Sequence, residues 1–458
     1  MLKKFVCCII SLTIAAIVWA QTSDDQYKEP LKDVLKAIEQ RFGIVVQYSN
    51  YLVKDKYVTY ARWRFRPDAE QTLMNVLGLH DLTFAKTDEK TYRVRNYQYH
   101  LKRPEEGRAQ LEYLASLYHD VASWEKRKAE LRECMWEALK LSPLPPRPNS
   151  APILSNKRAY DGYTVENIAL EILPGLYICG SIYKPAKIKG KIPVVLCPDG
   201  HWEKHRYRPD CQHRCATIAR MGAMAVSYDL FGWGESLLQF KAEDHRRSLA
   251  MTVQALGSLR ILDYMLSLKG ADTSRVAITG GSGGGSQTML ITALDDRIKL
   301  SAPVVMLSSY HSGGCPCESG MPIHLCGGGT ANPEIAAMAA PRPQLVVSDG
   351  KDWTAHVPEI EFPYLQRMYG FYKQQSMVKN VHLPDEGHDF GISKRMPLYE
   401  FLNEHFKLNA VIDESKNAIE EEWQLYSFGK NGEKLPANAI KGFDNLEKMF
   451  AEYTGSKK

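Results

Sequence analysis

The stretch from Ile278 to Leu290, ITGGSGGGSQTML, constrains this chain more than any other. A run of β-formers, Arg275 to Thr279, arrives at Gly280-Gly281-Ser282-Gly283-Gly284, and a helix-like segment reaching Met289 and Leu290 leaves it. That spells G-x-S-x-G between a strand and a helix, the signature of a serine held on a sharp strand-to-helix turn. Such a turn demands neighbours without Cβ atoms, so that the backbone can bend and a substrate can approach. Ser282 then stands at a helix N-terminus, where free N–H groups and the dipole favour a developing negative charge. It is the expected nucleophile. Ser286 would lie one turn inside the helix and reads as a small residue packing that helix on the sheet.

The chain opens with Lys3 and Lys4, an apolar run from Phe5 to Trp19, and Ala20 at a small-residue cut before Gln21. Residues 1–20 read as a secretory leader, too short and wrongly flanked for a membrane anchor. The mature chain is therefore expected in the periplasm or outside the cell, without a membrane span. Its formal charge of +5 falls to +3 when the two lysines leave, too slight to imply nucleic acid as a partner. Cys7 and Cys8 leave as well, and the eight remaining cysteines meet an oxidising compartment where one or two disulfides are expected.

Residues 21–98 read as a separate small α/β module. Leu31, Val34, Leu35 and Ile38 recur at helical spacing, Gly43 stops that helix, and Ile44 to Tyr48 is strand-like. A second cycle follows: a strand-like Tyr57 to Phe65, a helix carrying Leu73, Val76 and Leu77, and strands near Leu82 to Ala85 and Tyr92 to Val94. The succession LKDVLKAIEQRFGIVVQYSNYL and AEQTLMNVLGLHDLTFAKTDEKTYRV resembles the short N-terminal domain of secretins and TonB-dependent receptors. The resemblance implies an envelope protein as docking partner, with no catalysis in the module. Residues 99–152 form a charged helical segment, with Leu111, Leu114, Tyr118 and Val121 as its apolar stripe, and then a proline-rich connector, LSPLPPRPNSAP.

Residues 153–410 read as an α/β-hydrolase domain, a mostly parallel central sheet flanked by helices. Thr164 to Glu171 and Leu176 to Tyr183, separated by Pro174-Gly175, form an antiparallel hairpin at its edge. Ile192 to Cys197 is a buried strand leading to Pro198-Asp199-Gly200-His201-Trp202, where this fold supplies its second oxyanion donor. Gly283 and either Gly200 or His201 are the expected backbone donors, each worth on the order of 3 kcal/mol to a tetrahedral intermediate. Asp229 follows the next strand but precedes the nucleophile in sequence, so it reads as a structural hydrogen-bonder. After the elbow, the strand Gln344 to Ser348 leads to a turn with two candidate acids: Asp352, the expected one, and Asp349, the runner-up, which lies nearer the strand end and reads as holding the turn. Val378 to Leu383 then delivers His388, the expected base, while His382 stays within the strand. The order Ser282, Asp352, His388 belongs to this fold and to neither chymotrypsin nor subtilisin.

Trp202, Trp233 and Trp353 follow three strand ends, and Tyr310 and His311 lie on the loop after Ala302 to Leu307. These aromatics are candidates for stacking on sugar rings. Cys315, Cys317, Cys326, Cys211, Cys215 and His213 invite a metal reading, but their spacings match no common zinc pattern and a serine triad needs no Lewis acid. Disulfides or buried thiols are expected instead, with no metal and no cofactor. Residues 411–458 are polar, with helix-like Glu420 to Tyr426 and Phe443 to Tyr453, and read as a tail that wraps the domain or moves freely.

From about Trp124 to Leu408 the succession YDGYTVENIALEILPG, CPDGHW, GGCPCE, DWT and GHDF resembles bacterial acetyl xylan esterase-like α/β-hydrolases. Members often carry CPHGHW where this chain has Asp199, and aspartate where it has Glu235, which leaves the triad alone and opens the question of substrate. The resemblance implies a secreted serine esterase that removes acetyl groups from plant-type polysaccharides. Methyl or glucuronoyl esterases acting on uronic acids share the fold and triad and are the alternative. A non-catalytic envelope docking protein is the reading from a different class.

Overall fold

In this computed structural model, residues 26–155 and 157–455 are described, and the leader expected at residues 1–20 lies outside them. Two units emerge, divided after Tyr99. In the first, helix Leu31–Phe42 buries Leu31, Val34, Leu35 and Ile38 and ends at Gly43, whose φ of 65° is the left-handed cap that lets its N–H reach the Glu39 carbonyl. Helix Ala69–Leu77 starts at Asp68, whose side chain accepts from Gln71 N–H at 2.8 Å. A three-stranded sheet pairs Val45–Gln47 in parallel with Thr91–Asn96, which pairs antiparallel with Leu82–Lys86. The strand expected over Tyr57 to Phe65 is shorter. It covers Tyr57–Thr59 and pairs with Lys28–Pro30. Tyr60 then turns the chain at φ 52°, stacked between Tyr27 and Trp63, and Ala61–Arg64 coil into a 3-10 turn. Ring stacking at a left-handed residue overrides the β-forming composition there.

The second unit starts with the charged segment, which breaks into helices Pro104–Ser116 and Val121–Ala138. Asp120 caps the second by accepting from Ser123 N–H at 2.8 Å, so Val121 becomes the exposed first residue of a helix rather than part of the apolar stripe. Leu111, Leu114 and Tyr118 are buried. From the second helix, Arg127 donates to Glu334 at 2.9 Å and to the carbonyls of Gly327 and Gly329, and Cys134 is bonded to Cys326.

The central sheet has ten strands. Across it run Val378–Leu383, Gln344–Asp349, Leu300–Val304, Ala271–Gly281, Ile192–Pro198 and Met224–Tyr228, all parallel, and then the antiparallel strands Leu176–Pro185, Tyr163–Leu173 and Ile153–Leu154, with Arg158–Tyr160 also on Tyr163–Leu173. The parallel strands read as continuous apolar runs because helices cover both of their faces. This is the α/β-hydrolase architecture. The strand order reverses between Ile192–Pro198 and Ala271–Gly281, and the crevice at the carboxyl ends of such a pair is where open α/β sheets bind ligands.

The C-terminal segment is built into this unit. Phe443, Leu446 and Phe450 of helix Phe443–Gly455 are buried in the main core. Buried Arg206 donates to Asp229 at 2.9 Å, to Glu235 at 3.1 Å and to the Leu425 carbonyl at 2.8 Å, while Glu235 accepts from the N–H groups of Ser427 and Phe428. Glu235 therefore serves the tail, its extra methylene relative to aspartate giving it reach. Burial, against the pull of Arg206, pushes the Asp229 pKa up to about 7. Replacing Arg206 by methionine would strand these two carboxylates in the interior. The expected cost is about 3–5 kcal/mol, read as a lower denaturant midpoint at neutral pH.

Candidate active site

Ser282 follows the last residue of strand Ala271–Gly281 and caps helix Gly283–Leu294. Its backbone sits at φ 52°, ψ −124°, a region that L-residues rarely occupy, and the strain is held by its N–H donating to the Val304 carbonyl at 3.1 Å. The glycines around it are a packing requirement. A Cβ on Gly284 would lie 2.4 Å from the Pro198 carbonyl oxygen, and one on Gly283 would lie 2.5 Å from the His201 ring. The elbow is thus pressed against the loop that follows Ile192–Pro198. The N–H groups of Gly283 and Gly284 stand in the first helical turn, where the helix itself offers no acceptor.

On the other side of the nucleophile strand, His388 Nδ1 donates to Asp352 Oδ2 at 2.7 Å. Asp352 Oδ1 accepts from both the N–H and the hydroxyl of Thr354, 2.6 Å each. Burial works against its charge, but the bonds from His388 and Thr354 outweigh that and hold its carboxyl below the ordinary range. Asp349 is fully buried at the strand end. There burial, with repulsion from Asp352, pushes its pKa up to about 6 in spite of Lys394 at 3.4 Å. His382 accepts from or donates to Ser348 within the sheet, at 2.9 Å, and takes no part in the crevice.

The aromatic candidates separate into two groups. Trp353 lies 4.3 Å from the His388 ring and His311 stacks on Trp353 at 4.3 Å, while Trp202 flanks His388 at 5.6 Å. Asp199 acts at this wall through Arg208, which it holds at 3.0 Å and which lies 4.6 Å over the Trp202 ring. Trp233 instead packs edge-on against His201 and His245, and Tyr310 is buried beside His356.

Two residues at the site went unread in the sequence. Glu318 Oε1 accepts from Ser282 Oγ at 3.1 Å and pairs with His201 Nδ1 at 3.0 Å, so the hydroxyl rests on Glu318 rather than on His388. His245, from the 3-10 turn Ala242–Arg246, meets His201 with its Nε2 at 2.6 Å. GGCPCE was a visible signal for Glu318. His245 had none, because its partners are far away along the chain. The cysteines regroup accordingly: Cys326 is in the disulfide, Cys211 and Cys215 are buried under Arg214, His213 faces Asn417, and only Cys315 and Cys317 stand beside the two histidines.

The chain is similar to several known proteins. The solved methylesterase BT1017 shares 50% identity with it and superposes with a TM-score of 0.83, over 96% of this chain and 99% of that one. The acetyl esterase Axe7A of Xylanibacter ruminicola is 30% identical over 138 residues, a match that spans 26% of this chain and only 30% of that relative's length. A glucuronoyl esterase from Solibacter usitatus is more distant, with 15% identity and a TM-score of 0.47 over 62% of this chain and 94% of that one. No protein-family model matches the chain.

Proposed function

The chain belongs to the family of the methylesterase BT1017, and from that premise we propose that it is a serine carboxylic-ester hydrolase that removes methyl groups from esterified uronic acids of plant-type polysaccharides. The observation that carries the chemistry is the 2.7 Å bond between His388 and Asp352 beside a strained serine at the sheet's switch point. Ser282 leaves Glu318 and gives its proton to His388 Nε2 as Oγ attacks the ester carbonyl. Asp352 keeps the imidazole in the right tautomer and stabilises the imidazolium. The oxyanion is met by Gly283 N–H and by the N–H of Gly200 or His201. Methanol leaves with the proton from His388, and water repeats the cycle to release the carboxylate. That product would face Glu318, whose Oε1 lies 3.1 Å from Oγ, so the site favours a neutral ester over the acid it makes. The stack of His311 and Trp353 next to His388 offers a flat apolar wall for a sugar ring.

Acetyl ester hydrolysis is the second reading. It is favoured by the partial likeness to the acetyl esterase Axe7A and by the motif succession from YDGYTVEN to GHDF. Export of the mature chain rests on residues 1–20, and an envelope docking role for residues 21–98 rests on pattern. Among the described residues no helix is long and apolar enough to cross a membrane.

The deciding experiment offers the purified protein methyl-esterified oligogalacturonide and acetylated xylan in parallel. Methanol release from the first, with little acetate from the second, is expected. Acetate release alone would transfer the reading to acetyl esters, and no turnover of either would leave docking as the function.

A further inference from the structure

His201, His245, Cys315 and Cys317 come from three separate loops, yet one ligand atom of each lies within 4.8 Å of all the others. Cys317 Sγ is 3.5 Å from His201 Nε2 and 3.2 Å from His245 Nε2, Cys315 Sγ is 3.6 Å from His201 Nε2, and the two sulfurs are 3.0 Å apart. Bond lengths to zinc of about 2.3 Å for thiolate and 2.0–2.1 Å for imidazole give a tetrahedron with edges of roughly 3.3–3.8 Å. Two of these edges, 3.5 and 3.6 Å, fall in that range, and the three shorter ones, the 2.6 Å between the two Nε2 atoms included, need to open by less than about 1 Å.

The tautomers supply an independent argument. His245 Nδ1 is 2.5 Å from the Phe231 carbonyl, which can only accept, so this nitrogen carries the proton. His201 Nδ1 faces the Glu318 carboxylate at 3.0 Å and carries its proton as well. With Nδ1 engaged in each ring, Nε2 is the atom available to a metal, and the two Nε2 atoms lie 2.6 Å apart with two sulfurs beside them. Two imidazole nitrogens and two thiols thus face one point, a donor set that suits a divalent cation once the thiols lose their protons. The outward hydrogen bonds to a carbonyl and a carboxylate are those that orient metal-bound histidines.

We propose that these four residues bind one divalent cation of the zinc type in a closed tetrahedral site. Binding releases the two thiol protons, and the charges of Zn²⁺ and two thiolates cancel, which suits a buried position. With four protein ligands the ion has no open position and serves structure. It ties the loop bearing Gly200 and His201 to the turn Ala242–Arg246 and to the segment Pro316–Ser319, and so fixes Glu318 beside Ser282.

The test is elemental analysis of tag-free protein, isolated without chelators and dialysed. It does not depend on which ester, if any, is cleaved. About one zinc ion per chain is expected. It should be lost in Cys317→Ser and His245→Ala and kept in Cys211→Ser. Cobalt added to the metal-stripped protein should give the visible bands of a tetrahedral site together with thiolate charge transfer. That reading needs no variant to fold. The proposal is overturned if the isolated protein holds no metal and takes up none after thiol reduction. It is overturned equally if intact mass shows two further hydrogens lost to a Cys315–Cys317 disulfide in the active protein.

Discussion

Ser282→Ala is expected to lower ester turnover by on the order of 10⁶-fold, His388→Ala by nearly as much, and the double variant by no more than either alone. In the proposed mechanism nucleophile and base act as one unit, so removing either removes the same step. What survives is the contribution of substrate binding and of the N–H groups at Gly283 and the Gly200–His201 loop, which neither substitution touches. The measurement is kcat on a methyl ester, with thermal unfolding of each variant to show that the fold is intact. Turnover of Ser282→Ala comparable to that of the parent protein would remove the elbow from the chemistry. A Glu318→Gln variant sharpens the result. It leaves the triad in place and frees Ser282 from its resting partner, so its activity should persist, with weaker product discrimination seen as a lower inhibition constant for the free uronate.

Asp352→Asn carries the second large effect, a loss of about 10⁴-fold in kcat near neutral pH. An amide at this position offers an N–H where His388 needs an acceptor, and the imidazole is then held in the tautomer that cannot take the serine proton. The geometry predicts a contrast three residues away. Asp349 makes no bond to His388, so Asp349→Asn should cost far less in turnover while changing stability, since Lys394 loses one of its carboxylates. Equal losses from the two variants would mean that the turn as a whole matters, and not the Asp352–His388 bond.

The parts of this site legible in the sequence are those whose physics is local. A serine on a strained elbow needs glycine neighbours in a fixed order, and an acid and a base placed after successive parallel strands must appear in chain order. Spacing therefore points to Ser282 and His388, the DWT resemblance points to Asp352, which the structure pairs with His388, and the apolar strand runs point to the sheet. Glu318, His245 and the pairing of Cys134 with Cys326 depend on which loops the folded sheet brings together, and no window of sequence contains that information. For the same reason Cys211, Cys215, His213, Cys315, Cys317 and Cys326, which invite one metal reading in the sequence, part into separate surroundings once the chain is folded. Tyr57 to Phe65 misleads in the opposite sense: its aromatic and β-branched residues suit a strand, but Tyr60 spends its ring on a stack with Tyr27 and Trp63 and turns the backbone away.

The attachment of the C-terminal segment bears on how the protein reaches its folded state. Arg206 meets the Leu425 carbonyl across 219 positions of chain, Arg127 meets Glu334 across 207, and Phe450 fills the same core as Leu111. Contacts of such long range return their free energy only after large loops have closed, so the catalytic unit is expected to fold slowly and late. Until the stretch from Leu425 to Phe428 arrives, Arg206, Asp229 and Glu235 lack the backbone groups that complete their network. A growing chain therefore holds its hydrophobic strands open, in need of protection from aggregation. Esterase activity should then appear in a single step when the last segment docks.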